Sequence, residues 1–195
     1  QIQPERLRKL FQRMVDIYSP SGKEEQIVDY LHGFLRRRGL PVERQPVDDT
    51  RHNLLVLPPG GEPRLGFIGH LDTVSAYDLD QYGYEVNGDE ITGLGTADMK
   101  GGCAAMVEAY LNLWERHPDS LTAALALVVG EEEDGDGAAR LMEDTHFPWA
   151  IIGEPTDLHP CLSNFGYMEV QVCTQGPRKH AARVQREKNP VELML

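Results

Sequence analysis

The sequence predicts an α/β layered fold, on three observations. Amphipathic helical stripes alternate with short apolar runs of strand length. Three of those runs end on a histidine or a carboxylate directly after glycine, and a fourth motif sets an aspartate in a glycine-rich turn, where α/β proteins place their sites. The chain has 195 residues, 41% of them hydrophobic and 26% charged, enough for one buried core and part of another domain.

The elements follow in order. Leu7, Leu10, Phe11, Met14, Val15 and Tyr18 recur at helical spacing, and "SPSGKEE" breaks the stripe. Ser21 followed by Glu24 reads as a capping box for a second helix that turns Ile27, Tyr30, Leu31, Phe34 and Leu35 inward and runs to Gly39. Strands are expected at 41–47, 52–58 and 64–70, then an exposed loop over 75–90. A small-residue helix is expected from Gly101 to Trp114, and "LTAALALVVG" is a buried strand. A short helix at 137–144 and a strand at 149–153 follow. From Gly166, "GYMEVQVCTQG" alternates with a period of two, as a half-exposed strand of different character does.

Bulk properties exclude several function classes. A net charge of -12 argues against nucleic acid and anionic membrane, which both require clustered Lys and Arg. Cys103, Cys161 and Cys173 are odd in number and lack zinc-finger spacing, which suits reduced thiols in the cytoplasm. No apolar run approaches the roughly 18 residues of a membrane span, and the start of the chain is charged and amphipathic rather than a signal peptide. The chain starts without Met, as a trimmed sequence would.

These four motifs carry the chemistry. In "GHLDTV", His70 and Asp72 are two apart and share a face of an extended strand, so the carboxylate can orient a metal-binding imidazole. The alternative is a solvated turn. "GLGTADMKGG" sets Asp98 among glycines before a helix; it reads as a cap or a tight ligand loop and lacks both nucleotide-binding glycine patterns. "LALVVGEEEDGDG" runs a buried strand into Glu131, Glu132, Glu133 and Asp134. From Glu132 the acids approach EF-hand spacing through Asp134, Asp136, Gly137 and Glu143, yet Ala139 stands at position eight and a strand precedes the loop. "IIGEPTDL" presents Glu154 before a proline turn. One histidine and several carboxylates converging at strand ends form a plausible divalent-metal set, with another carboxylate free to act as a base.

These motifs, in this order, resemble the co-catalytic zinc aminoacylases and exopeptidases that include acetylornithine deacetylase, succinyl-diaminopimelate desuccinylase and carboxypeptidase G. "GEPT" and the spacing are most similar to the acetylornithine deacetylase-like branch. The resemblance implies a three-layer catalytic domain with a central mixed sheet over 1–163, and the start of an inserted α+β lid and dimerisation domain over 164–195. It implies His70, Asp98, Glu133 and Glu154 as zinc ligands, with Asp98 bridging two zinc ions for which cobalt can substitute. Asp72 becomes the orienting carboxylate and Glu132 the base; a register one residue earlier makes Glu131 the base and Glu132 the ligand. His180 in "GPRKHAA" matches the lid histidine that reaches a partner subunit's site, and "KNPVE" matches the Asn-containing helix after it.

Three departures accompany the resemblance. "AYDLDQYGYEVNGDE" replaces the family's Trp and Pro-Phe loop, and "NFG" stands where an Arg precedes the glycine at 166. No His follows His180, so the family's C-terminal zinc-ligand histidine is not in this sequence, which stops within the lid. His32, His52, His117, His146 and His159 read as surface, loop or helix-end groups. The expected activity is removal of an acyl group from an N-acyl amino acid by a cytoplasmic homodimer that binds neither nucleic acid nor membrane. An exopeptidase or dipeptidase, a catalytically incomplete metal-binding fragment and a calcium module are the alternatives.

Overall fold

A computed structural model describes residues 1–80, 82–161, 166, 168 and 170–176. Contacts divide the chain into Gln1–Leu158 and His159–Leu195. The first unit holds every element described below.

Helix α1 (Pro4–Val15) starts with proline in its first turn, where the missing N–H costs nothing, and buries Leu10, Met14 and Val15. Helix α2 (Glu25–Arg36) buries Ile27, Val28, Leu31, Phe34 and Leu35. Its predicted capping box does not form. No side chain caps α2, and the Ser21 hydroxyl instead donates to Asp72 Oδ2 at 2.7 Å.

Strands β1 (Val42–Pro46), β2 (His52–Val56) and β3 (Leu65–His70) follow as expected. The 75–90 loop hides a hairpin, β4 (Glu85–Asn87) paired antiparallel with β5 (Glu90–Thr92). The irregular turn Thr96–Lys100, with a cis Asp98–Met99 peptide, leads into α3 (Gly101–Arg116). Strand β6 (Ala123–Val128), helix α4 (Asp136–Asp144) and strand β7 (Ala150–Ile152) complete the unit. Because β6, not a helix, enters the acidic turn, the EF-hand alternative lacks its first helix. The strand expected from Gly166 lies partly outside the described residues, and 170–176 are not in a strand.

The sheet order is β1-β2-β6-β3-β7. β1–β2 and β2–β6 are antiparallel, while β3 runs parallel to both β6 and β7. Every residue of β6 is buried. Ala123, Leu125 and Leu127 join the core under α1, α2 and α3, whereas Ala124, Ala126 and Val128 join the smaller core with Leu141 of α4. Period-two alternation thus gives helices on both faces of one mixed sheet, the three-layer α/β architecture expected. Parallel β3, β6 and β7 bring His70, the acidic turn and Glu154 to the same edge.

Candidate metal centre

His70 closes β3 and is 1% exposed. Its Nδ1 lies 3.0 Å from the Asp72 main-chain oxygen and 3.5 Å from Asp72 Oδ1. That leaves Nε2 toward three carboxylates: Asp98 Oδ1 at 3.0 Å, Glu154 Oε1 at 3.6 Å and Glu131 Oε2 at 3.8 Å. One donor atom each from His70, Asp98 and Glu154 lies within 4.8 Å of the other two. A buried imidazole with its far nitrogen occupied, grouped with the carboxylates of Asp98 and Glu154, is a donor set suited to a divalent transition metal.

The local backbone makes this convergence possible. A side chain on Gly102, in the first turn of α3, would overlap the Gly153 carbonyl. Glycine at 102 lets the end of the Asp98 turn lie against the residue before Glu154. The main chain of His70 is held by sulfur: its N–H donates to Met99 Sδ at 3.2 Å, and the Cys103 thiol donates to its carbonyl at 3.1 Å.

Asp72 is fully buried, and its carboxylate ties three segments together. It accepts from Ser21 Oγ at 2.7 Å, from Glu131 N at 3.1 Å and from Glu132 N at 3.0 Å. Burial pushes the Asp72 carboxyl up, but hydrogen bonds from His70, Ser21 and the two amides prevail and hold it below its ordinary value. Burial lowers His70, yet the hydrogen bond and charge of Asp72, the charge of Glu154 and the contact with Asp98 raise it to about 9. Burial pushes Glu154 up to about 7; His70 opposes this, and the charges of Asp98 and Glu131 add to it. Glu132 is also raised, by burial first and then by the charge of Asp98. Like charges crowd a site that a cation would relieve.

The structure therefore brings together His70, Asp72, Asp98, Glu154 and the half-buried Glu132, and adds Glu131. Glu133 is exposed and is not among the carboxylates within ion-pair distance of His70. His180 lies outside the described residues. Sequence reasoning missed Ser21, whose S-x-x-E spacing satisfied a capping pattern. It also missed Lys100, whose buried ammonium donates to the Ile17 carbonyl at 2.8 Å and is pushed down to about 8 by burial.

Residues 66–190 match the profile of peptidase family M20/M25/M40. The chain belongs to that family. It is 36% identical over 182 residues to an acetylornithine deacetylase of Klebsiella pneumoniae, covering 87% of this chain and 46% of that protein. It is 29% identical over 196 residues to a probable succinyl-diaminopimelate desuccinylase of Staphylococcus epidermidis, covering 96% of this chain and 48% of that one. Among solved structures, a tripeptidase of Staphylococcus aureus superposes with a TM-score of 0.64 at 26% identity, covering 77% of this chain and 43% of its own. The chain thus spans about half the length of the curated relatives it matches. Deacylase, desuccinylase and peptidase relatives all match. No helix among the described residues is long and apolar enough to cross a membrane.

Proposed function

We propose that the chain forms the metal-holding part of an amidohydrolase that removes an acyl group from an N-acyl amino acid. The convergence of His70, Asp98 and Glu154 within 4.8 Å supports the metal-holding part of this reading, and the 36% identity to an acetylornithine deacetylase supports the deacylase part. These three residues would hold one zinc or cobalt ion, with Asp98 extending to a second ion alongside Glu133. Metal bound there supplies Lewis-acid polarisation of the amide carbonyl and acidifies water.

The chain's own residues do the rest. Glu132 takes a proton from the attacking water and returns it to the leaving amine, a role that its half-buried, upshifted carboxyl suits. Asp72 keeps the His70 ring turned toward the carboxylates and fixes the amides of Glu131 and Glu132. The reading extends to a homodimer in which His180, outside the described residues, would contribute to oxyanion stabilisation. Three free cysteines suit a cytoplasmic setting.

The second reading is an exopeptidase, favoured by the likeness to the Staphylococcus aureus tripeptidase. Turnover of N-acetyl amino acids against dipeptides, with zinc or cobalt supplied to the complete protein, separates the two. Glu132→Gln should abolish turnover with metal retained, whereas Glu133→Gln should lower metal content. Loss of metal in Glu132→Gln, with activity lost and metal retained in Glu131→Gln, would move the base to Glu131.

A further inference from the structure

The turn that bears Glu131, Glu132 and Glu133 is held almost entirely from outside. Asp72 takes two of its amides, and Asn53 of β2 ties its ends, accepting from Val129 N at 3.1 Å and donating to the Gly137 carbonyl at 2.8 Å. Its neck closes through Gly135 N to the Gly130 carbonyl at 2.8 Å.

The remaining support is Arg51, in the loop before β2. Its Nε donates to Asp48 Oδ2 at 2.6 Å, and both terminal nitrogens fork onto the Asp136 carboxylate, Nη1 at 3.2 Å and Nη2 closer. Asp136 opens α4 directly after the turn. The guanidinium also lies against Gly130, where an added Cβ would sit 2.6 Å from Nη1 and a φ of 72° already favours glycine. A third carboxylate, Glu24, has its nearer oxygen 4.0 Å from Nη1; both its oxygens are buried without a hydrogen-bond partner among the described residues. A planar five-donor fork can meet such an arrangement, whereas an ammonium cannot.

We propose that Arg51 is a positioning residue: its fork onto Asp136, against Gly130, sets where the carboxylates of Glu131 to Glu133 stand relative to the metal-binding cluster. The inference rests on the reading of those glutamates as base and ligand. Displacing a reacting group by about 1 Å can cost on the order of 10²-fold in rate, so the anchor has a chemical consequence.

The test is amide hydrogen exchange on the 195-residue chain, with zinc titration run in parallel. In Arg51→Ala, the hydrogen-bonded amides of Glu131, Glu132 and Gly135 should exchange at least about tenfold faster, while those of β6 keep their protection. Cavities of about 320 and 510 Å³ are both lined by Arg51, so a small ion has room to enter. Millimolar guanidinium chloride should therefore restore protection in the turn, and sodium chloride should not. Arg51→Lys, which keeps the charge opposite Glu24 without the fork, should also speed exchange. If Arg51→Ala does not fold, Asp136→Asn removes the partner alone and should loosen the same amides. Unchanged exchange in the turn would overturn the proposal. So would uniform loosening of β6 and α3 without guanidinium rescue. Absence of zinc binding by the unaltered chain would instead count against the metal reading, and the exchange comparison would still decide the role of Arg51.

Discussion

Asp72 shows how much one carboxylate can organise. Its two oxygens meet a hydroxyl and two amides, and its main chain meets the His70 ring. Asp72→Asn cannot accept at both positions, so zinc affinity should fall about 10–100-fold by equilibrium titration, short of complete loss. Ser21→Ala removes one donor and should weaken zinc by a smaller factor. Its helical circular dichroism should stay unchanged, because Ser21 does not cap α2. Loss of helix with zinc affinity intact would restore the capping reading. Sequence alone favoured the cap because S-x-x-E is a local pattern, whereas the partner Asp72 is 51 residues away. His70, Asp98 and Glu154 were legible for the opposite reason: each ends an apolar run or sits among glycines, and both signals are local.

At the scale of elements, helices and buried strands were readable from periodicity, because burial on one or two faces imposes it. The β4–β5 hairpin was missed. Its strands are only three residues each and all exposed, Val86 and Ile91 included, so the polar–apolar–polar pattern on either side of the Gly88-Asp89 turn is too short to stand out from a loop. The pairing of α1 with α3 has no local sequence signal, because Glu108 lies within a helix of small and apolar residues and its partner Arg6 is 102 residues away. Glu108 is fully buried and accepts from Arg6 Nε at 2.6 Å, Arg6 Nη2 at 3.0 Å and Gln3 N at 2.7 Å. Arg6→Met would leave that charge buried without its cation and should destabilise the unit by on the order of 3 kcal/mol in urea unfolding. A change below about 0.5 kcal/mol would mean the pair behaves as a solvated surface bridge.

For the whole molecule, the central claim is that two strand ends of one mixed sheet, bearing His70 and Glu154, and the turn before α3, bearing Asp98, assemble a divalent-metal site. Only one such cluster occurs among the described residues. The most direct measurement is elemental analysis after zinc loading and exhaustive dialysis, on the unaltered chain beside His70→Ala and Glu154→Ala. The account predicts one retained zinc per chain, lost from both variants while their folded circular dichroism persists. No retained zinc in the unaltered chain, or the same zinc content in His70→Ala, would contradict it.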